Sequence, residues 1–176
     1  MKAEKKLKIA RGVEPIPKGF HTVTPSLMVR DADRAIEFYK KAFGAELVDR
    51  FTGPDGKTVM HAELRIGDSF IFLGDEAFAK GTGGAEKTAE SCASIHLYVE
   101  DVDAAFDRAV RAGAKVQMPL ADMFWGDRYG QVVDPFGVGW GLATHMQDLT
   151  PAEIRKGAQE FFKTMGGGGE PGGGYR

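Results

Sequence analysis

Three side chains that can bind metal or move protons lie on predicted strands, and their spacing decides whether they can act together. His61 and Glu63 are two residues apart, so they share one face of a strand. His96 lies on another predicted strand. If both faces line one hollow, the three residues form the two-histidine, one-carboxylate set that binds Fe(II) or Zn. In the alternative, His96 is hydrogen-bonded inside its sheet and His61 lies at the surface.

A second group of candidate site residues lies in the C-terminal half of the chain. Trp125 and Arg128 lie on a predicted loop that can close over a ligand, and the forked guanidinium of Arg128 suits an anionic group. The competing interpretation is an ion pair of Arg128 with Asp127 or Asp134. Trp140 faces either a ligand or the core, because aromatic walls serve both purposes.

Nucleophilic and phosphate-binding chemistry has no support in the sequence. No Ser-His-Asp or Cys-His arrangement is apparent, and the single cysteine, Cys92, is best explained as a small buried hydrophobic residue. The glycines at 81–84 and 166–169 neither follow a strand nor open a helix, so they do not indicate a phosphate loop.

The elements that position these residues come from a stretch that occurs twice, about 70 residues apart. Val29 corresponds to Val99 and Asp31 to Asp101. Each copy reads as a strand, an acidic helix start, an amphipathic helix and a terminal glycine. A repeat on this scale predicts two copies of one supersecondary module.

Composition narrows the class of protein. The 176 residues are 43% hydrophobic, which is enough for a core, and the net charge is −2 without a basic run. We therefore expect neither nucleic acid nor membrane as a partner. One cysteine and the lack of a secretory signal favour a cytoplasmic location.

Periodicity predicts the elements of both modules. The first has a strand over 20–29, a helix ending at Gly44, and strands over 46–51, 58–66 and 69–73. The second has a strand over 94–99, a helix ending at Gly113, and strands over 115–118, 129–133 and 138–144, with a loop over 120–127. Thr150 and Glu153 predict a capping box that starts a C-terminal helix.

These elements give an α+β fold of paired βαβββ modules with a C-terminal helix. The predicted organisation is an N-terminal arm (1–19) and one domain (20–146) of two modules, 20–74 and 93–146, joined by a linker (75–92). A C-terminal helix (147–165) and a disordered glycine-rich tail (166–176) follow.

Several short motifs carry a resemblance to a known superfamily. They are Val29-Arg30-Asp31-Ala32, Ala42-Phe43-Gly44-Ala45-Glu46, Trp125-Gly126-Asp127-Arg128 and Asp134-Pro135-Phe136-Gly137. The chain resembles the vicinal oxygen chelate superfamily of glyoxalases, bleomycin-resistance proteins and extradiol dioxygenases, and most closely its PhnB-like members. The resemblance implies two βαβββ modules whose sheets curl into a shared cup, and a homodimer.

The resemblance also assigns four metal-ligand positions, which fall here at Thr24, Glu63, Ser94 and Gly141. Only Glu63 is a good ligand for a divalent metal, so the standard site is dismantled. A slip of two residues in the alignment would instead put His96 at a ligand position.

Three functions remain open at this stage. We expect the cup to bind a small molecule without the four-ligand metal site, using Arg128, His96 and Glu63 with Trp125, Trp140, Thr24 and Ser94. The alternative is a glyoxalase-type lyase or isomerase, or a dioxygenase, with Zn, Fe, Ni or Mn held by Glu63 and His61 or His96, and Glu63 moving a proton. The third is an interaction protein that uses its C-terminal helix.

Overall fold

A computed structural model describes residues 15–77 and 93–166. The chain divides into two compact units between Lys87 and Thr88. Most of the predicted arm, linker and tail lies outside the described residues, as does Cys92. No helix among the described residues is long and apolar enough to cross a bilayer.

The first module contains one helix and a four-stranded mixed sheet. Its elements are β1 (Ser26–Val29), α1 (Ala32–Phe43), β2 (Glu46–Thr52), β3 (Val59–Ile66) and β4 (Ser69–Asp75). The strand order is β1-β4-β3-β2, with β1 parallel to β4 and the other pairs antiparallel.

The second module repeats this plan. Its elements are β5 (Ser94–Tyr98), α2 (Val102–Ala112), β6 (Lys115–Asp122), β7 (Asp127–Val133) and β8 (Gly139–His145). The order β5-β8-β7-β6 has the same pattern of parallel and antiparallel pairs. The predicted α+β fold with two βαβββ modules is thereby confirmed.

The two largest errors in the predicted strand boundaries both involve proline. β1 begins at Ser26, directly after Pro25, whose ring removes a backbone donor from the ladder. Half of the loop predicted over 120–127 is strand, because β6 continues through Pro119 to Asp122 with register shifts on either side of Met118, and β7 begins at Asp127. Only residues 123–126 form a turn before β7.

Both helices begin and end as the repeat predicts. The carboxylates of Asp31 and Asp101 accept the backbone N–H groups of Arg34 and Ala104, which satisfies donors that a helix start leaves unpaired. Gly44 and Gly113 end the helices with φ of 68° and 116°, a conformation that favours glycine.

A further hydrogen bond in each module ties the start of the helix to the last strand. The Asp75 carboxylate on β4 accepts from the backbone N–H of Ala32 at 2.7 Å. The Thr144 hydroxyl on β8 accepts from that of Val102 at 2.9 Å. Because these acceptors occupy equivalent positions, the two helices sit on their sheets in the same way.

The helix covers one side of each sheet, and this side forms the core. In the first module the predicted stripe of α1 is buried (Ala35, Phe38, Tyr39 and Ala42), together with Ala62, Leu64 and Leu73 of the sheet. Strand alternation sends the intervening side chains to the opposite side. We call the sheet side opposite the module's own helix its open face.

The C-terminal helix, α3 (Pro151–Gly166), packs on the turn before β7. The predicted capping box is present: the Thr150 backbone N–H donates to the Glu153 carboxylate, and the Glu153 N–H donates to the Thr150 hydroxyl. The rings of Phe124 and Phe161 lie 5.5 Å apart. A Cβ added at Gly157 would lie 3.0 Å from the Phe124 Cβ, so glycine permits this close approach.

Gly126, in the same turn, should be more sensitive to substitution than other glycines with positive φ. Its φ is 99°, and an added Cβ would lie 2.3 Å from the Gln147 carbonyl oxygen. We expect Gly126→Ala to lower the free energy of unfolding by roughly 1–2 kcal/mol of backbone strain plus about 1–3 kcal/mol of overpacking. Chemical denaturation measures this loss.

Gly137→Ala is the matched control. Gly137 has φ of 89°, but an added Cβ would meet no atom within 4 Å. This variant should lose only the strain, about 1–2 kcal/mol. Equal losses in the two variants would contradict the steric explanation.

Candidate functional site

Strand register in the second module places a row of side chains across the open face. His96 on β5 lies beside Gly141 on β8, which lies beside Gln131 on β7. Two residues further along each strand, and so on the same face, Tyr98 and Tyr129 lie on either side of Ala143. Residues in one row point to the same side of the sheet, so these polar and aromatic groups share the open face.

The Tyr129 ring leans across Gly141, where a side chain would otherwise stand. An added Cβ at Gly141 would lie 2.8 Å from the Tyr129 hydroxyl and 2.9 Å from its ring. The ring is parallel within 6° to the exposed His96 ring, with centroids 5.5 Å apart. The Gln131 amide donates to the Tyr129 hydroxyl at 2.7 Å. Glycine at 141 therefore makes room for a stack of two rings.

A buried carboxylate, Asp127, lies at the end of this face. Its Oδ2 accepts from the Tyr98 hydroxyl and the Trp125 indole, both at 3.0 Å. Its Oδ1 lies 2.7 Å from His145 Nδ1, while His145 Nε2 lies 3.1 Å from Asp148. One carboxylate therefore connects β5, the turn, β8 and the segment after β8.

The contacts of Asp127 shift the pKa values of both partners in its ion pair. Burial raises the pKa of Asp127, but the hydrogen bonds from His145, Tyr98 and Trp125 outweigh burial, and the pKa is lowered. The pKa of His145 is raised by its hydrogen bond to Asp127 first and to Asp148 second. Both shifts therefore favour the charged form of the group.

The open face of the first module also carries aromatic rings and one carboxylate. His61 Nε2 lies 3.5 Å from the Glu63 carboxylate, and the His61 ring lies 4.8 Å from Phe72. Phe51, on the edge strand, lies opposite His61 and is 57% exposed. Thr24 precedes β1 and donates its hydroxyl to the His21 carbonyl.

The strand register of the two modules shows which of the four metal-ligand positions are structurally equivalent. Glu63 on β3 shares a row with Ser26 and Phe72, and its counterpart in the second module is Gln131 on β7. Gly141 on β8 instead corresponds to Phe72 on β4. Glu63 and Gly141 therefore do not occupy equivalent places in their modules.

The donor set at these positions does not fit a divalent metal. It consists of the Glu63 carboxylate, the hydroxyls of Thr24 and Ser94, and a glycine whose side-chain space the Tyr129 ring fills. In the described ranges, no group of three or more His, Cys, Asp or Glu residues is placed to hold a metal ion.

Arg128 lies on the helix side of its sheet. It is next to Asp127, so strand alternation turns the two side chains to opposite sides. Its guanidinium donates to both oxygens of Asp103 on α2 at 2.7 Å, and to Asp122 on β6 at 3.0 Å. The expected ion pair is present with other partners than Asp127 or Asp134, and it anchors α2 to two strands.

Trp140 also lies on the helix side. It is 1% exposed, and its indole donates to the buried Asp134 carboxylate at 3.1 Å. The structure thus separates Arg128 and Trp140 from Ser94, His96 and Trp125, which lie on or beside the open face of the second module.

Two groups on the open face escaped the sequence analysis. Gln131 was not singled out, and Asp127 was considered only as a partner of Arg128. The available signal was alternation: Asp127, Tyr129 and Gln131 occur at every second position of β7, as residues of one face must. The pairing of Asp127 with His145 depends on register, which the sequence alone does not give.

Comparison with known proteins gives consistent results at three levels. The sequence pattern of the glyoxalase/bleomycin resistance protein/dioxygenase superfamily matches residues 19–142. The uncharacterized protein Mb0911c of Mycobacterium bovis is 44% identical over 151 residues, which span 84% of this chain and 94% of that protein.

Two solved structures are similar in fold. The Arabidopsis thaliana gene product At5g48480 is 30% identical, with a TM-score of 0.57 over 70% of this chain and 98% of that one. A PhnB protein from Bacillus cereus is 20% identical, with a TM-score of 0.56 over 70% and 99%.

The ion pair between Asp127 and His145 predicts how stability depends on pH. The raised pKa of His145 means that its contribution is complete below its unfolded value near 6.5 and is lost as pH rises through the folded value. The lowered pKa of Asp127 means that its contribution is present above about 4 and is lost as pH falls through the folded value. Both contributions should be present between about pH 4 and 6.5.

Proton NMR titration of the His145 ring measures the effect directly. We expect a midpoint above about 6.5 in the wild type, a clear decrease in Asp127→Asn, and a smaller one in Asp148→Asn, because Asp127 is the larger cause. An unchanged midpoint in Asp127→Asn would contradict the assignment.

Proposed function

Because the chain belongs to the glyoxalase/bleomycin resistance protein/dioxygenase superfamily, we propose that it binds a small molecule on its open sheet faces. Binding proceeds without the four-ligand metal site of the superfamily. The observation that carries the proposal is the stack of the exposed His96 ring on the half-buried Tyr129 ring, which glycine at 141 makes possible.

The stack offers both apolar contact and hydrogen bonding to a ligand. Flat rings give a large contact area at little entropic cost, and His96 is exposed. Since the Tyr129 hydroxyl accepts from Gln131, its own proton is available to a ligand acceptor. Trp125, 5.8 Å from Tyr129, extends the aromatic surface, and Ser94 adds a hydroxyl at the start of β5.

Groups of the first module contribute to the same kind of recognition. Phe72 and His61 present ring surface beside the Glu63 carboxylate. Glu63 orients a ligand through hydrogen bonds in this proposal, and Thr24 is a weaker candidate because its hydroxyl is engaged locally. Arg128 and Trp140, although expected in this role, are committed to the helix side and are left out of the proposed site.

The proposal also includes a cellular location and an oligomeric state. We place the protein in the cytoplasm as a homodimer. The edge strand β2 supports self-association, since its side chains Leu47, Val48 and Phe51 are exposed and apolar. Light scattering of the purified chain tests the dimer, and a monomer at all concentrations would remove it from the proposal.

Fragment binding followed by NMR tests the proposed site. The probes are quinoline and indole, which are planar and aromatic, with cyclohexanol as a non-aromatic control. We expect quinoline and indole to shift signals of His96, Tyr129 and Gln131, and cyclohexanol to leave them in place. NMR shifts confined to residues outside this open face would contradict the proposal.

Two glycine variants sharpen this test. Gly141→Ala places a methyl group against the Tyr129 ring and should weaken quinoline binding by about tenfold, or about 1.4 kcal/mol. Gly139→Ala, in the neighbouring row of the same strand, meets only the Ser94 Cβ at 3.4 Å and should lower affinity much less than Gly141→Ala does. Equal affinity in both variants would exclude the stack as the binding surface.

Elemental analysis separates this proposal from the metal-dependent lyase, isomerase or dioxygenase. Protein purified without chelator should carry less than one equivalent of Zn, Fe, Ni or Mn, and Glu63→Ala should not change that content. A stoichiometric metal that Glu63→Ala removes would favour the enzyme that uses Glu63 with His61 or His96.

A further inference from the structure

We infer that Asp127 is the positioning residue of the open face in the second module. Its carboxylate fixes the Tyr98 and Trp125 side chains and couples both to the segment that follows β8. The inference rests on the proposed function for its relevance to a ligand, but the coupling itself is a property of the free chain.

Burial and donor count set Asp127 apart from an ordinary surface carboxylate. It is 4% exposed, and three side-chain donors reach its two oxygens. A buried carboxylate is costly unless hydrogen bonds replace its water. Here the replacing donors are two aromatic side chains and a histidine, so removing the charge would weaken all three contacts.

The orientation of the Tyr98 ring depends more on its hydrogen bond to Asp127 than on packing. Its side chain is on the open face and the residue is 60% exposed, while the hydroxyl donates to Asp127 at 3.0 Å. A ring with so little cover has few packing contacts to hold one orientation. The hydrogen bond to Asp127 is therefore the main restraint on where the ring stands, 4.6 Å from the His96 ring.

Trp125 is held by the same oxygen atom. Its indole donates to Asp127 Oδ2 at 3.0 Å, and its ring contacts Tyr129 edge to face at 5.8 Å. The Met123 backbone N–H donates to the Asp127 carbonyl at 2.7 Å, which closes the turn that carries Trp125. Asp127 thus positions both the side chain of Trp125 and the backbone around it.

His145 connects this arrangement to the segment after β8. It contacts the carboxylates of Asp127 and Asp148, and the third titratable group of the cluster is Tyr98, reached through Asp127. Only a protonated imidazole donates from both nitrogens. A neutral His145 must give up one carboxylate, and the fully exposed Asp148 is the weaker partner.

The consequence is a link between protonation and the position of the C-terminal segment. Asp148 lies two residues before Thr150, which caps α3, and α3 packs on Phe124 beside Trp125. Loss of the His145 proton therefore loosens the segment that leads to α3, while Asp127 keeps its hydrogen bonds to the aromatic pair.

The test follows the two tryptophan indole N–H signals of the ¹⁵N-labelled full chain, with Trp125→Phe providing the assignment. Asp127→Asn leaves one side-chain oxygen for three donors. We expect the Trp125 indole hydrogen to exchange with solvent at least about tenfold faster, a factor that corresponds to about 1.4 kcal/mol. Tyr98 ring signals should move in the same variant.

Asp134→Asn is the matched control, because Asp134 is also 4% exposed and also accepts from an indole, that of Trp140. This variant should alter the Trp140 signal and leave Trp125 and Tyr98 unchanged. Trp125 and Tyr98 signals that stay the same in Asp127→Asn would overturn the inference. So would shifts of equal size in Asp134→Asn, which would indicate general loosening.

The pH dependence of the NMR signals separates this coupling from a purely structural role of Asp127, which would not make the Trp125 signal depend on the His145 proton. Because His145 and the Trp125 indole contact the same carboxylate, the loss of the imidazolium charge should shift the Trp125 signal even while its hydrogen bond persists. The Trp125 and His145 signals should therefore share one midpoint in the wild type, and His145→Gln should abolish the Trp125 titration. A Trp125 titration that persists in His145→Gln would overturn the coupling. None of these measurements uses a ligand, so failure of quinoline to bind would count against the proposed function alone.

Discussion

The arrangement of each module depends on one hydrogen bond between the last strand and the first turn of the helix. Asp75 provides the acceptor in the first module and Thr144 in the second. This bond joins chain segments more than 40 residues apart and ties the start of the helix to the sheet side on which its apolar stripe is buried. The module's own helix therefore does not cover the other side, and in the described part of each module polar and aromatic groups collect there.

The duplication conserves this framework while the open faces differ. Equivalent rows read Ser26, Phe72 and Glu63 in the first module, but His96, Gly141 and Gln131 in the second. The core needs apolar volume at the helix side, whereas the open face carries no such demand. The two open faces therefore differ by individual residues, above all by glycine at 141.

The sequence predicted the fold because the signals for it are local. The acidic helix starts, the terminal glycines at 44 and 113 and the buried stripe of α1 each depend on a few adjacent residues. The site was predicted less well, since partners such as Asp127 and His145 meet only through strand register. For the same reason the ion pair weighed for Arg128 named Asp127 or Asp134, whereas its partners are Asp103 and Asp122.

The seat of α3 on the turn has an evolutionary consequence. Gly157 lets the helix backbone approach Phe124, so the sizes of residues 124 and 157 limit each other. A lineage that enlarges position 157 has to shrink position 124 or lift the helix away. Substitutions at these two sites should therefore be inherited together, even though 33 positions of chain separate them.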